Sequence, residues 1–265
     1  MEIHTQWYKN KATLLFMVLG GFFITNALIA ELIGIKIFSL EKIFGLHPFN
    51  MTLFGVTDLG FNLTAGVILW PVVFVMTDII NEYFGRRGVQ MLSWMAVVMI
   101  VYAFFMFFLG IHLPPNDWWQ NESGLITTNP DQYIPNMDLA FKKIFGQGLW
   151  IIIGSMVAFL LGQVVDVVVF HWIRRRTGEK YMWLRATGST LVSQFIDSFV
   201  VLIIAFYIGS NWDLVRVLAI GCVNYMYKSF MAIVLTPLIY LGHDLIERYL
   251  GHELAHELKS LAARQ

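Results

Sequence analysis

The chain has 265 residues, 57% hydrophobic and 14% charged, against roughly a quarter charged in an ordinary soluble domain, which excludes a soluble globular protein. Eighteen basic and eighteen acidic residues cancel to a formal net charge of zero, so no overall field recruits nucleic acid or an anionic surface. The single cysteine, Cys222, lies inside an apolar run, which rules out an intrachain disulfide framework and argues against a cysteine-built metal site.

From the N-terminus, a short polar stretch is followed by an apolar run too long for a signal-peptide core and without a clear small-residue cleavage site, so it reads as a retained span. A bilayer core of about 30 Å needs roughly 20 apolar helical residues, because a helix closes its backbone hydrogen bonds internally where no water can. Six segments qualify: 13–37, 63–80, 89–111, 148–171, 187–209 and 215–241. The expected fold class is therefore an all-α, polytopic membrane protein, a bundle of six transmembrane helices. Basic residues gather on alternate connections. Lys9, Lys11, Arg86, Arg87, Arg174, Arg175, Arg176, Lys180, Arg185, Arg248, Lys259 and Arg264 fall on one side. The other side holds Lys36, Lys42, Lys142, Lys143 and Arg216 beside Glu41, Asp58, Asp117, Glu122, Asp131, Asp138 and Asp213. The positive-inside rule then places both termini in the cytoplasm.

Two outer connections, 38–62 and 112–147, are long and rich in proline, glycine and aromatics, including Pro114, Pro115, Trp118 and Trp119. They read either as a cap on the outer face or as interfacial anchors. The transmembrane transporter domain is expected over residues 1–242. The tail, 243–265, spaces Leu245, Ile246, Tyr249, Leu250, Leu254, Leu258 and Leu261 as a cytoplasmic amphipathic helix on the membrane surface would.

An ionisable group in mid-bilayer costs about 3 kcal/mol on insertion scales, so it faces a bundle interior or a wet cavity. Glu31, Asp78, Asp166, Asp197 and Lys228 all fall inside spans. The fourth and fifth spans repeat one pattern, Gln163-Val-Val-Asp166 and Gln194-Phe-Ile-Asp197, and a spacing of three puts each amide and carboxylate on one face. Asp166 lies roughly 8 Å and Gln194 roughly 10 Å from the inner ends of their helices, so antiparallel neighbours are expected to bring two amides and two acids together. Asn224 and Lys228 share a face of the sixth span and add a cation. Interhelical hydrogen-bond glue and a structural ion pair are the plainer alternatives. Asp78, Asn81 and Glu82 share a face at the inner end of the second span, where Glu82 and Arg86 are ordered for an i,i+4 pair. Pro71 is a candidate kink. Asn26 and Glu31 point in different directions, so one of them at most faces the cavity.

His252-Glu253-Leu254-Ala255-His256 matches the HExxH zinc pattern. A third ligand and a water-excluding cleft have no counterpart in the short polar tail, so no metal, cofactor or catalytic residue is expected. No P-loop or nucleophile elbow is present.

Three segments carry a family likeness: Thr77-Asp78-Ile79-Ile80-Asn81-Glu82-Tyr83-Phe84-Gly85, the Gln163 to Asp166 stretch leading into a basic loop, and Ser193-Gln194-Phe195-Ile196-Asp197-Ser198. Together they resemble the queuosine precursor transporter family, also called the vitamin uptake transporter family, with outer loops longer than its shortest form. The resemblance covers most of the chain. It implies import of 7-deazaguanines, such as 7-cyano-7-deazaguanine or its aminomethyl derivative, across the bacterial inner membrane. The residues suit that cargo. A guanine-like edge offers adjacent N–H donors that a carboxylate accepts in bidentate fashion, while its carbonyl needs a donor from Gln, Asn or Lys. Asp197 or Asp166 is expected to take the donor edge and Gln163 and Gln194 the remaining polar atoms, with Asn224, Lys228, Asp78, Glu82 and Asn26 as further candidates. Proton coupling through a carboxylate and assembly into a homo-oligomer are compatible with this reading. The rival readings are a substrate-capture subunit of an ATP-driven importer, an intramembrane metalloenzyme and a simple pore.

Overall fold

The structure is a computed structural model and describes residues 10–120, 134–146, 148–177 and 181–264. Lys9, Lys180, Glu122 and Asp131, invoked for orientation above, lie outside the described residues, as does much of the second outer connection.

Helix α1 (Lys11–Ile33) starts where Asn10 accepts the backbone N–H groups of Ala12 and Thr13. It ends short of residue 37, because Ile37 already belongs to strand β1 (Ile37–Ser39). The first outer connection then folds as α2 (Leu40–Ile43), β2 (Met51–Leu53), β3 (Val56–Leu59) and β4 (Asn62–Thr64). These make two antiparallel ribbons, β1 with β4 in the register Ile37↔Thr64 and β2 with β3. Phe54 and Gly55, with φ of 53° and 82°, give the β2–β3 turn the positive-φ pair that matches strand twist. Glu41 ties the layer down, accepting the Phe61 N–H at 2.7 Å and the Ser39 hydroxyl at 2.9 Å. Burial works against its charge, but these hydrogen bonds prevail and hold its carboxyl below the usual range.

A 3₁₀ turn (Ala65–Ile68) leads into α3 (Trp70–His112). Pro71 sits in the first turn of α3, where its missing N–H costs nothing, so it starts a helix instead of kinking one. The second and third expected spans are the two arms of α3, divided at Gly85 with φ 70° and ψ −174°, a region open essentially to glycine alone. A Cβ on Gly88 would lie 3.7 Å from the Ile80 side chain, whereas eight residues along an unbroken helix span roughly 12 Å. The chain therefore folds back. Val73, Met76 and Ile80 of the first arm share one core with Val89, Leu92 and Ala96 of the second. Trp94, Val98, Tyr102, Phe105 and Leu109, three or four apart, form an exposed apolar stripe, which in this setting is a lipid face.

Then come α4 (Asp117–Gln120), α5 (Met137–Phe145), α6 (Leu149–Thr177) and α7 (Met182–Leu202), which continues as a π turn (Ile203–Ile208). Trp119 packs edge-on to Phe141 of α5, whereas Trp118 stays exposed. The last elements are α8 (Leu214–Val234), α9 (Thr236–Leu250) and α10 (His252–Ala263). Asp213 caps α8, and α8 stops before residue 241 because Pro237 opens the next helix. The β2–β3 ribbon packs on Ala219 and Val223 of α8, which defines a hairpin end of the bundle opposite an arginine end.

Among the described residues, five helical stretches are long and apolar enough to cross a membrane, and the Gly85 reversal lies within the second, Ala65–His112. The molecule is an all-α polytopic membrane protein with a small β cap. The expected single surface helix of the tail is two helices, broken at Gly251 with φ 86°. It is docked: Ile246, Leu250 and Ala255 are buried with Leu15, Ile79 and Tyr83. Lys259 reaches Glu247 at 2.5 Å, and its carbonyl accepts from Arg174 at 3.3 Å. His252 and His256 lie on α10, and among the described residues no group of three His, Cys, Asp or Glu is placed to hold a metal ion.

Candidate functional site

Near the hairpin end, α1, α6, α7 and α8 enclose a cavity of about 410 Å³. Its polar wall is Glu31 on α1, Ser155 on α6, Asp197 and Ser198 on α7, and Asn224 and Lys228 on α8, with Trp70 and Phe206 as aromatic surfaces and Lys143 and Thr64 toward the mouth. Glu31 accepts the Ser155 hydroxyl at 3.0 Å. Lys228 and Asp197 form an ion pair. Asn224 stands one turn from Lys228, and the buried Ser198 hydroxyl has no partner. Two acids and a lysine, beside an unfilled hydroxyl and flat aromatic faces, make a surface that can bind a planar polar solute by hydrogen bonds on its edge and stacking on its face.

Toward the arginine end the polar groups continue in closed layers. Lys228 also borders a narrow space with Gln194, Asp78 and Thr190. Thr190 donates to Asp78 at 3.3 Å or Asp166 at 3.4 Å, and Ser193 reaches Asp166 at 3.1 Å. Below, Asn81 meets His171 at 3.0 Å. Glu82 pairs with Arg185 at 2.8 Å and Arg174 at 3.6 Å. These two arginines, not Arg86, are its ion-pair partners, because the break at Gly85 removes the continuous turn that an i,i+4 pair needs.

The sequence-derived candidates thus separate by depth. Asp197, Asn224 and Lys228 line the chamber, and Gln194 lies just beneath it. Asp166 does not join Asp197; it faces Thr190 and Ser193 in the layer of Asp78. Gln163 turns away and accepts from Thr77 at 3.0 Å. Asn26 bonds back to the Phe22 carbonyl at 2.8 Å, and it is Glu31 that enters the chamber. Ser155 and Trp70 were not singled out from sequence, and Ser198 entered only as the end of the Ser193–Ser198 segment. For Glu31 the signal was available, an acid in mid-span; for Ser155 and Trp70 there was none.

Long apolar helices around a polar chamber of solute size define a multi-pass membrane transporter. A profile of the putative vitamin uptake transporter family matches residues 64–242. The chain belongs to that family: it is a transporter of the inner membrane, not an enzyme. It is 27% identical over 201 residues to a probable queuosine precursor transporter of Bacillus subtilis strain 168, covering 74% of this chain and 76% of that one. It is 26% identical over 207 residues to a probable queuosine precursor transporter of Haemophilus influenzae, covering 76% and 79%. It is also 26% identical over 189 residues to the queuosine precursor transporter of Escherichia coli K12, covering 68% and 72%. No solved structure matches the chain.

Proposed function

We propose that this protein imports queuosine precursors, 7-deazaguanines such as the 7-cyano or 7-aminomethyl compound, by alternating access around the chamber. The observation that carries the reading is the meeting of Asp197, Lys228, Asn224 and the Glu31–Ser155 pair in one cavity beside Trp70 and Phe206. Asp197 takes the donor edge of the heterocycle, Lys228 and Asn224 its carbonyl, and Trp70 stacks on the ring. Gln194 marks the floor. With the two arms of α3 counted separately, the chain crosses six times, both termini are cytoplasmic, and the hairpin end faces outward. The chamber is then open to the outside, and the layers from Asp78 to Arg174 form the closed inner half.

The test is uptake of labelled 7-deazaguanines by cells lacking their own synthesis, with and without this protein. Expression should confer uptake, and Asp197→Asn should abolish it while the protein still reaches the membrane. Uptake unchanged in that variant removes Asp197 from the site. Purified chain in liposomes should transport unaided; binding without transport would make it a capture subunit.

A further inference from the structure

Away from the chamber, the second arm of α3 and α6 enclose a groove of about 90 Å³. Along α3 it begins at Arg86 and ends at Trp94, roughly 12 Å further on. Its α6 wall is Leu160, Gln163, Val164 and Val167. Trp94 and Val164 are 60% and 48% exposed, so the groove opens on the apolar face that the bundle turns to lipid.

Two observations require an occupant that is more than hydrocarbon. Gln163 lines the groove and is 3% exposed; its Oε1 accepts from Thr77 at 3.0 Å, while its Nε2 has no hydrogen-bond partner. An N–H buried without an acceptor is costly, and an acyl chain offers none. The second observation is charge at the arginine end of the same groove. His171, one turn past Val167 on α6, lies within electrostatic reach of Arg86 and Arg175, which brings a guanidinium of α3 and one of α6 to a common corner. Both arginines are exposed, and among the described residues neither forms an ion pair. Arg174, the third cation near His171, is engaged with Glu82.

A small free anion would satisfy the arginines and leave the amide bare. A phospholipid carries both kinds of acceptor in one molecule, phosphate oxygens and, next to them, ester carbonyls, followed by chains that suit the apolar walls. Guanidinium groups bind phosphate in bidentate fashion, and basic pockets between transmembrane helices take anionic head groups.

We propose that this groove binds an anionic phospholipid of the leaflet at the arginine end. Its phosphate lies between Arg86 and Arg175, an ester carbonyl accepts from Gln163 Nε2, and one acyl chain leaves past Val164 and Trp94. The other end of the Gln163 amide is bonded to Thr77 on the first arm of α3, so the lipid braces both arms of the α3 hairpin against α6. The binding does not depend on what the protein carries.

The test is the unfolding midpoint of the purified protein in a neutral detergent, titrated with phosphatidylglycerol or with phosphatidylcholine of the same chains. Phosphatidylglycerol should raise the midpoint in a saturable way and phosphatidylcholine should need at least tenfold more for the same rise. Arg86→Gln with Arg175→Gln, both at exposed positions that leave the core intact, should erase that preference. Arg216→Gln, at the hairpin end, should preserve it. Gln163→Leu should raise the half-saturating concentration of both lipids severalfold and keep the preference, because the ester carbonyl is common to them. Equal responses to the two lipids in the unaltered protein overturn the site, as does a preference that survives loss of both arginines. Inorganic phosphate that matches phosphatidylglycerol makes it a site for a free anion and overturns the lipid. A lipid-free dimer that a cysteine at position 94 cross-links to its own copy makes the groove a subunit interface and overturns it too.

Discussion

The Glu82 cluster allows a prediction with unequal arms. Glu82 Oε1 meets Arg185 Nη2 at 2.8 Å and Glu82 Oε2 lies 3.6 Å from Arg174 Nη1, with side-chain exposures of 3%, 2% and 8%. Removing one partner of a buried pair costs about 3–5 kcal/mol, because a charge is left without compensation. Arg185→Met leaves Glu82 with Arg174 still close, so its cost should fall near the lower figure of about 3 kcal/mol. Glu82→Gln leaves two guanidinium groups facing each other across a neutral amide, and its cost should approach about 5 kcal/mol. The double variant strands only Arg174, so it should be more stable than Glu82→Gln alone, and since the single costs add to about 8 kcal/mol the coupling energy between the sites should be about 3 kcal/mol or more. The assay is unfolding of the purified protein in mixed micelles across a denaturant series, with all four proteins under one condition. Single costs that add to within about 0.5 kcal/mol, the expectation for independent sites, would refute the view that these charges depend on each other.

Glu31→Gln and Ser155→Ala should each lower 7-deazaguanine uptake without lowering the amount in the membrane, since Glu31 and Ser155 form the hydrogen-bonded wall of the chamber; normal uptake in both would take that wall out of the binding surface. Gly85→Ala should destabilise by about 1–3 kcal/mol through strain at its positive φ, measurable as a lower unfolding midpoint, whereas Gly21→Ala, with open space around its Cβ, should be tolerated. His243 is 5% exposed beside Tyr83. Burial first, then the nearby Lys259 and Arg185 charges, push its pKa down to about 3. A histidine depressed in the folded state stabilises above its unfolded pKa of roughly 6.5 and loses that contribution as pH falls toward the folded value. The unfolding midpoint should therefore drop between pH 7 and pH 5, and His243→Gln should flatten that drop.

Much of the fold was legible because lipid imposes a simple rule: apolar stretches of sufficient length mark helices. The misplaced boundaries were local. Ile37 and Leu63 are as apolar as the spans beside them, yet the structure puts Phe38 and Leu63 opposite each other in a ribbon, and hydropathy does not distinguish that from helix. Pro71 and Pro237 were absorbed into spans, although both open helices. At the site, sequence named three residues that line the chamber, Asp197, Asn224 and Lys228, but not the depth at which the other candidates lie. The repeated Gln and Asp pairs on α6 and α7 suggested one cluster, whereas antiparallel packing sets Asp166 beside Ser193 and Asp197 beside Lys228. Glu31 meets Ser155 across 124 positions of chain, a separation that no local pattern encodes.

The chamber also has an electrical meaning. Where bulk electrolyte reaches the depth of Lys228, the membrane potential falls across the thinner packed layer beneath, and moving one elementary charge through that layer is worth about 2.3 kcal/mol per 100 mV. Any net charge carried past only a few side chains there crosses nearly the whole voltage, so a dependence of uptake on imposed potential would report charge movement through that thin layer alone.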